Sequence, residues 1–172
     1  MDAAEVSQYI TTTLPDVDVV TGNGDSFFFY TPDPSAPDHM FPFATLVTSN
    51  GNDPFSDLDR PGVFRLNIGV GKETFRGRFG TPALPSDRDG SPLADPPPGE
   101  YDFTALDRVM PHPVYGHQLW VCVLNPGAAT FATDVQPLLA EAYDRAVIRY
   151  QRKQSHAHAT APQGGAVAEE EL

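Results

Sequence analysis

A chain of 172 residues suffices for one domain with tails, and a 40% hydrophobic composition with 11 Phe and 6 Tyr supplies a core, which excludes disorder throughout. The formal net charge of −12 argues against non-specific nucleic-acid binding, which needs cations to neutralise phosphates, and favours solubility. A single cysteine, Cys122, excludes an internal disulfide framework.

The start shows no basic, apolar and small-residue leader pattern, and no apolar run is long enough to span a bilayer. The expectation is a soluble, cytoplasmic protein without a membrane partner. With 18 Pro and 14 Gly, the elements must be short and joined by many loops.

In chain order, residues 2–14 predict a helix, with Val6, Ile10 and Leu14 at four-residue spacing, Asp2 as N-cap and Pro15 as stop. DVDVVT (16–21) alternates as a strand, GNGD (22–25) turns, and SFFFYT (26–31) returns, which predicts a hairpin. A Pro- and Asp-rich loop leads to a third strand at 41–49. A polar loop follows, then a fourth strand, VFRLNIG (63–69). Alternation puts Val63, Arg65, Asn67 and Gly69 on one face of that strand and Phe64, Leu66, Ile68 and Val70 on a core face. Residues 72–79 predict a short helix, 80–100 a long loop of Pro, Asp, Ser and Gly, and 102–109 a helical turn. A rigid connector at 111–117 precedes a fifth, central strand, QLWVCVL (118–124), and a long helix at 130–152 that Pro137 interrupts or begins. Residues 153–172 predict a disordered tail, and 1–152 a single domain. Hairpin-led strands with helices at both ends predict an α+β fold: a mostly antiparallel sheet of about five strands flanked by the N- and C-terminal helices.

Three long strings, DRPGVFRLNIGVGKETF (59–75), YDFTALDRVMPHPVYGHQLWVCVLNP (101–126) and PLLAEAYDRAVIRY (137–150), closely resemble an uncharacterised bacterial family, domain of unknown function 6194. The resemblance covers roughly residues 1–150 and transfers no catalytic residue. A looser likeness links the aromatic hairpin, FATL (43–46), the segment 113–123 and LLAEAY (138–143) to YjbR-like α+β domains. Members of that group have been described as DNA-binding by fold analogy, a role that a charge of −12 does not suit.

Residues 60–78 hold Arg60, Arg65, Lys72, Arg76 and Arg78 against Glu73 alone, a basic segment in an acidic chain. Within it, GVGKET invites comparison with a phosphate loop, but Leu66 stands where the first glycine belongs and Glu73 where Ser or Thr would hold magnesium, so that motif is rejected. A helix starting near Gly71 would still offer free N–H groups to an anion, with Arg65 and Lys72 adding charge. The competing reading pairs Arg65 with Asp57 or Asp59. Cys122, between Val121 and Val123, predicts a buried inert thiol facing the same side as Trp120 and Leu124. His112 and His117 are the candidates for acid–base work. One cysteine, and histidines at 156 and 158 in the predicted tail, predict no metal site, and Asp53, Asp57 and Asp59 lack the calcium-loop pattern. No cofactor is expected.

The leading functional expectation is therefore a small binding or interaction domain. Its small anionic or aromatic ligand would lie near Arg65 and Asn67, with Lys72, Tyr115, His117 and Trp120 around it. The alternative is an enzyme using His112 or His117 as acid or base, with Arg65 and Lys72 stabilising negative charge. A further alternative is weak nucleic-acid binding through 60–78. An uncovered sheet edge would also permit a homodimer.

Overall fold

The computed structural model describes residues 1–35, 39–81 and 101–160. The predicted loop at 80–100 lies, past its first two positions, outside the described residues, as does the chain from 161 onward.

Helix α1, Ala3–Thr13, opens on a capping box: Glu5 N–H donates to the Asp2 carboxylate and Asp2 N–H to the Glu5 carboxylate, each at 2.8 Å. Strands β1 (Val17–Gly22) and β2 (Asp25–Tyr30) form the expected hairpin, and Asn23 and Gly24 both adopt positive φ in its two-residue turn. β3 (Ala44–Val47) and β4 (Arg65–Gly69) continue the sheet, helix α2 (Lys72–Phe79) follows, and β5 (Met110–Pro111) and β6 (Trp120–Leu124) complete it. The order across the sheet is β1-β2-β3-β4-β6-β5, with every strand pairing antiparallel. This is the predicted α+β domain, with N- and C-terminal helices.

The sixth strand corrects the reading of 102–117. Asp102 accepts from Thr104 N–H and Oγ1–H in a single turn at 103–104, shorter than the helical turn expected over 102–109, and Leu106 then bridges to Leu124. Met110 and Pro111 pair beyond β6 at the sheet edge, where a proline costs no ladder donor. An unpaired edge of β6 recruited a segment whose local sequence favoured a turn. The last helix also departs from expectation. It starts as a short α3 (Ala128–Thr130), widens to a π turn at Phe131–Val135, then runs as α4, Gln136–Thr160, past the predicted end at Arg152. The wide turn sits just before Pro137, whose ring would otherwise press on the carbonyl four residues back.

The two sheet faces differ in kind. Phe28, Ala44, Leu46, Leu66, Ile68, Val121 and Val123 form the main core against Val6 and Ile10 of α1 and Leu138, Leu139, Ala142 and Ala146 of α4. The opposite face holds a smaller apolar cluster of Val47, Leu58, Met110, Cys122 and Leu124, covered by the loop between β3 and β4. Arg65, Asn67 and Thr45 lie on that second face too, all buried. No helix among the described residues is long and apolar enough to cross a membrane.

Candidate functional site

β4 delivers Arg65 and Asn67 to the second face because their neighbours Leu66 and Ile68 are claimed by the helix-covered core. Arg65 is 1% exposed, and its guanidinium makes a two-pronged bond to Asp53, Nη1 to Oδ1 at 3.0 Å and Nη2 to Oδ2 at 2.6 Å. Nη1 also donates to Ser56 Oγ at 2.7 Å. The sequence reading offered Asp57 or Asp59 as partners; the partner is Asp53, while Asp57 faces Arg60 and Asp59 accepts from Asn50. Burial pushes the Asp53 carboxyl upward, but the hydrogen bonds and charge of Arg65, with help from His112 and the Phe55 N–H, outweigh it and hold the group below its ordinary value.

Asn67, 3% exposed, donates from Nδ2 to Thr45 Oγ1 at 2.9 Å. Two atoms on this face have no hydrogen-bond partner among the described residues: Arg65 Nε and Asn67 Oδ1. Beside them Asn67 pairs across strands with Cys122, and Trp120 rests over Gly69, where a Cβ would stand 3.4 Å from the indole.

His112 sits at the rim of the same face, 4% exposed, and its N–H donates to Trp120 C=O. The Nδ1 atom accepts from both Val114 N–H and Tyr115 N–H at 3.1 Å, so the ring's own proton resides on Nε2. Burial, reinforced by the Arg65 charge and only partly offset by Asp53, pushes its pKa down to about 3. Cys122 is fully buried, as expected, and burial pushes its thiol up to about 12.

The remaining predicted residues disperse. Tyr115 is 48% exposed with its ring 5.0 Å from that of His112. His117 is half-buried, tied through Nδ1 to Val114 C=O and through Nε2 to Gln118. Lys72 stands exposed on the first turn of α2, away from the buried guanidinium. Thus Arg65, Asn67, His112 and Trp120 share one side of the sheet, and Lys72 is not among them.

The anion expected at the start of α2 turns out to be internal. Gly71 N–H donates to Glu141 Oε1 of α4 at 2.8 Å. That carboxylate occupies the positive end of the helix and satisfies one of its orphan donors.

A family model matches residues 1–155. The chain belongs to the family of unknown function DUF6194. No curated protein and no solved structure matches it. In this DUF6194 domain the basic segment is largely spent on the fold. Arg60 donates to the carbonyls of Ser56, Asp57 and Thr104, Arg65 binds Asp53, and Arg78 pairs with Asp134 at 2.8 Å. No group of three or more His, Cys, Asp or Glu among the described residues is placed to hold a metal.

Sequence reasoning missed Asp53, Ser56 and Glu141. Asp53 was one of three equivalent aspartates in a polar loop, and Glu141 lay on a helix with no signal linking it to Gly71. It also overlooked RAVIRYQRK (145–153), which carries four cations and no carboxylate. A charge count over the long helix would have found that stretch.

Proposed function

We propose that this is a non-catalytic binding domain whose ligand is a small, planar aromatic molecule held against the face that carries Arg65 and Asn67. The observation supporting it is the pair of buried, unpartnered atoms, Arg65 Nε–H and Asn67 Oδ1. An orphaned buried donor or acceptor costs about 1–3 kcal/mol, so proteins keep few of them. A donor and an acceptor two residues apart on one strand face suit a planar group offering one of each, as a heteroaromatic amide edge does. Trp120 beside them supplies an aromatic wall.

Asp53 already neutralises Arg65, so the net charge at this face favours an uncharged aromatic ligand over an anion. Catalysis by His112 is disfavoured by the same geometry. The lone pair of His112 Nδ1 is taken by two amides and its basicity is far too low for a general base near neutrality. The thiolate of Cys122 is equally out of reach.

Uracil, 2-pyridone and nicotinamide serve as probes in thermal unfolding of the wild type and of Asn67→Leu, which removes the acceptor at similar volume. A ligand binding only the folded state raises Tm, so at least one probe should shift the wild type and leave Asn67→Leu unmoved. No shift in the wild type, or the same shift in both, sinks the proposal.

A further inference from the structure

The sheet has two edges, and they differ. β5 is two residues long and one of them is Pro111, so it offers another chain little to pair with. β1 is six residues long and ends the sheet on the other side. Thr31 N–H donates to Asp16 C=O at 2.7 Å, and with the β1–β2 register this turns the even-numbered residues toward β2. Val17, Val19 and Thr21 therefore aim their N–H and C=O groups outward. Among the described residues nothing accepts the N–H of Val17 or Thr21. Val19 is different: its N–H donates to Oδ1 of the adjacent Asp18 at 2.9 Å. The other oxygen, Oδ2, accepts from His39 Nε2–H, and the His39 ring packs on Phe29 with centroids 4.9 Å apart. A half-exposed carboxylate is thus tied at both oxygens, one of them over the middle donor of the open edge.

We infer that Asp18 closes the β1 edge, and that the strand it keeps out is β1 of a second copy of this chain. The register favours that partner. About a twofold axis at Val19, two β1 strands pair antiparallel with Val17 opposite Thr21, Asp18 opposite Val20 and Asp16 opposite Gly22. No carboxylate then faces another. Centring the axis on Val17 sets Asp16 against Asp18 on both sides, which repels, and centring it on Thr21 leaves only 20–22 to pair. The edge therefore has one self-complementary register, and the carboxylate of Asp18 occupies the donor at its centre. Arg65 lies three strands away across the sheet, so its face and this edge are filled independently.

Sedimentation velocity of the full chain gives the mass, and amide hydrogen exchange locates the contact. The wild type should be a monomer in which Val19 N–H exchanges at least about tenfold more slowly than the N–H of Val17 and Thr21. Asp18→Thr, which keeps a strand-forming residue, should double the mass and protect all three outward amides. Adding Val19→Pro removes the middle donor while leaving the β2 ladder whole, and should return the monomer. His39→Ala frees one carboxylate oxygen without altering β1, and should give a dimer fraction between those of wild type and Asp18→Thr. A wild type already paired through β1, Val19 exchange as fast as that of its outward neighbours, a folded Asp18→Thr that stays monomeric, or a mass that grows past two copies overturns the inference.

Discussion

His112 owes its chemistry to what its two ring nitrogens meet. Nδ1 is capped by the Val114 and Tyr115 amides, much as an Asn side chain caps a turn, and the buried ring stays neutral. Between an ordinary pKa of about 6.5 and the folded value of about 3, the unfolded chain takes up a proton that the folded chain refuses. Folding stability therefore falls as pH drops through that window, by about 1.4 kcal/mol per unit. His112→Asn retains an acceptor for the two amides without titrating. Moving from pH 6.5 to 4.5 should cost the wild type roughly 2–3 kcal/mol more than the variant, read from urea midpoints at each pH. Parallel losses in the two proteins would show that the imidazole is not the source. Asp53 acts in a different window. Its folded pKa is depressed, so its stabilising contribution is present above the ordinary carboxylate value and vanishes only as pH falls through the lower, folded one.

Among the elements, α2 shows a helix whose start depends on another helix. Its N-cap, Gly71, has no side chain to offer, and Glu141 from α4 accepts the Gly71 N–H instead. A Cβ at position 71 would come within 2.5 Å of Glu141 Oε1. Gly71→Ala should therefore break this bond and cost about 1–3 kcal/mol, since the carboxylate loses its partner and must move. Glu141→Gln keeps an oxygen acceptor and loses only the charge, so it should cost about 0.3–1 kcal/mol. Chemical denaturation of the two variants gives the comparison, and a larger loss in Glu141→Gln than in Gly71→Ala would reject this account. The hairpin, α1 and the two faces of β4 were legible because their signals are local: a turn of residues that tolerate positive φ, an N-cap aspartate before apolar residues at four-residue spacing, an alternation of period two. β5 was not, because Met110 and Pro111 carry no strand pattern of their own and pair only through the free edge of β6.

For the whole molecule, charge is a matter of placement. Three of the five cations in 60–78 are engaged by Asp53, Asp134 or loop carbonyls, so a net charge of −12 has no counterweight there. A fluorescent DNA duplex at about 50 mM salt should show no binding tighter than about 10⁻⁴ M by anisotropy. Binding that tightens steeply as salt is removed and disappears in Arg76→Glu would restore the nucleic-acid reading.

The amino-acid sequence by itself determined the α+β class, the hairpin, the core stripe of β4 and the burial of Cys122, because each follows from the spacing of apolar residues along a few consecutive turns or pleats. Tertiary structure alone decided which aspartate meets Arg65, which carboxylate fills the end of α2, and that aromatic residues of β2 and the loop before β3 meet the cations of α4. Those pairings join residues 12, 70 and more than a hundred positions apart. Periodicity sets which way a side chain faces; only the packing of distant elements sets what it meets.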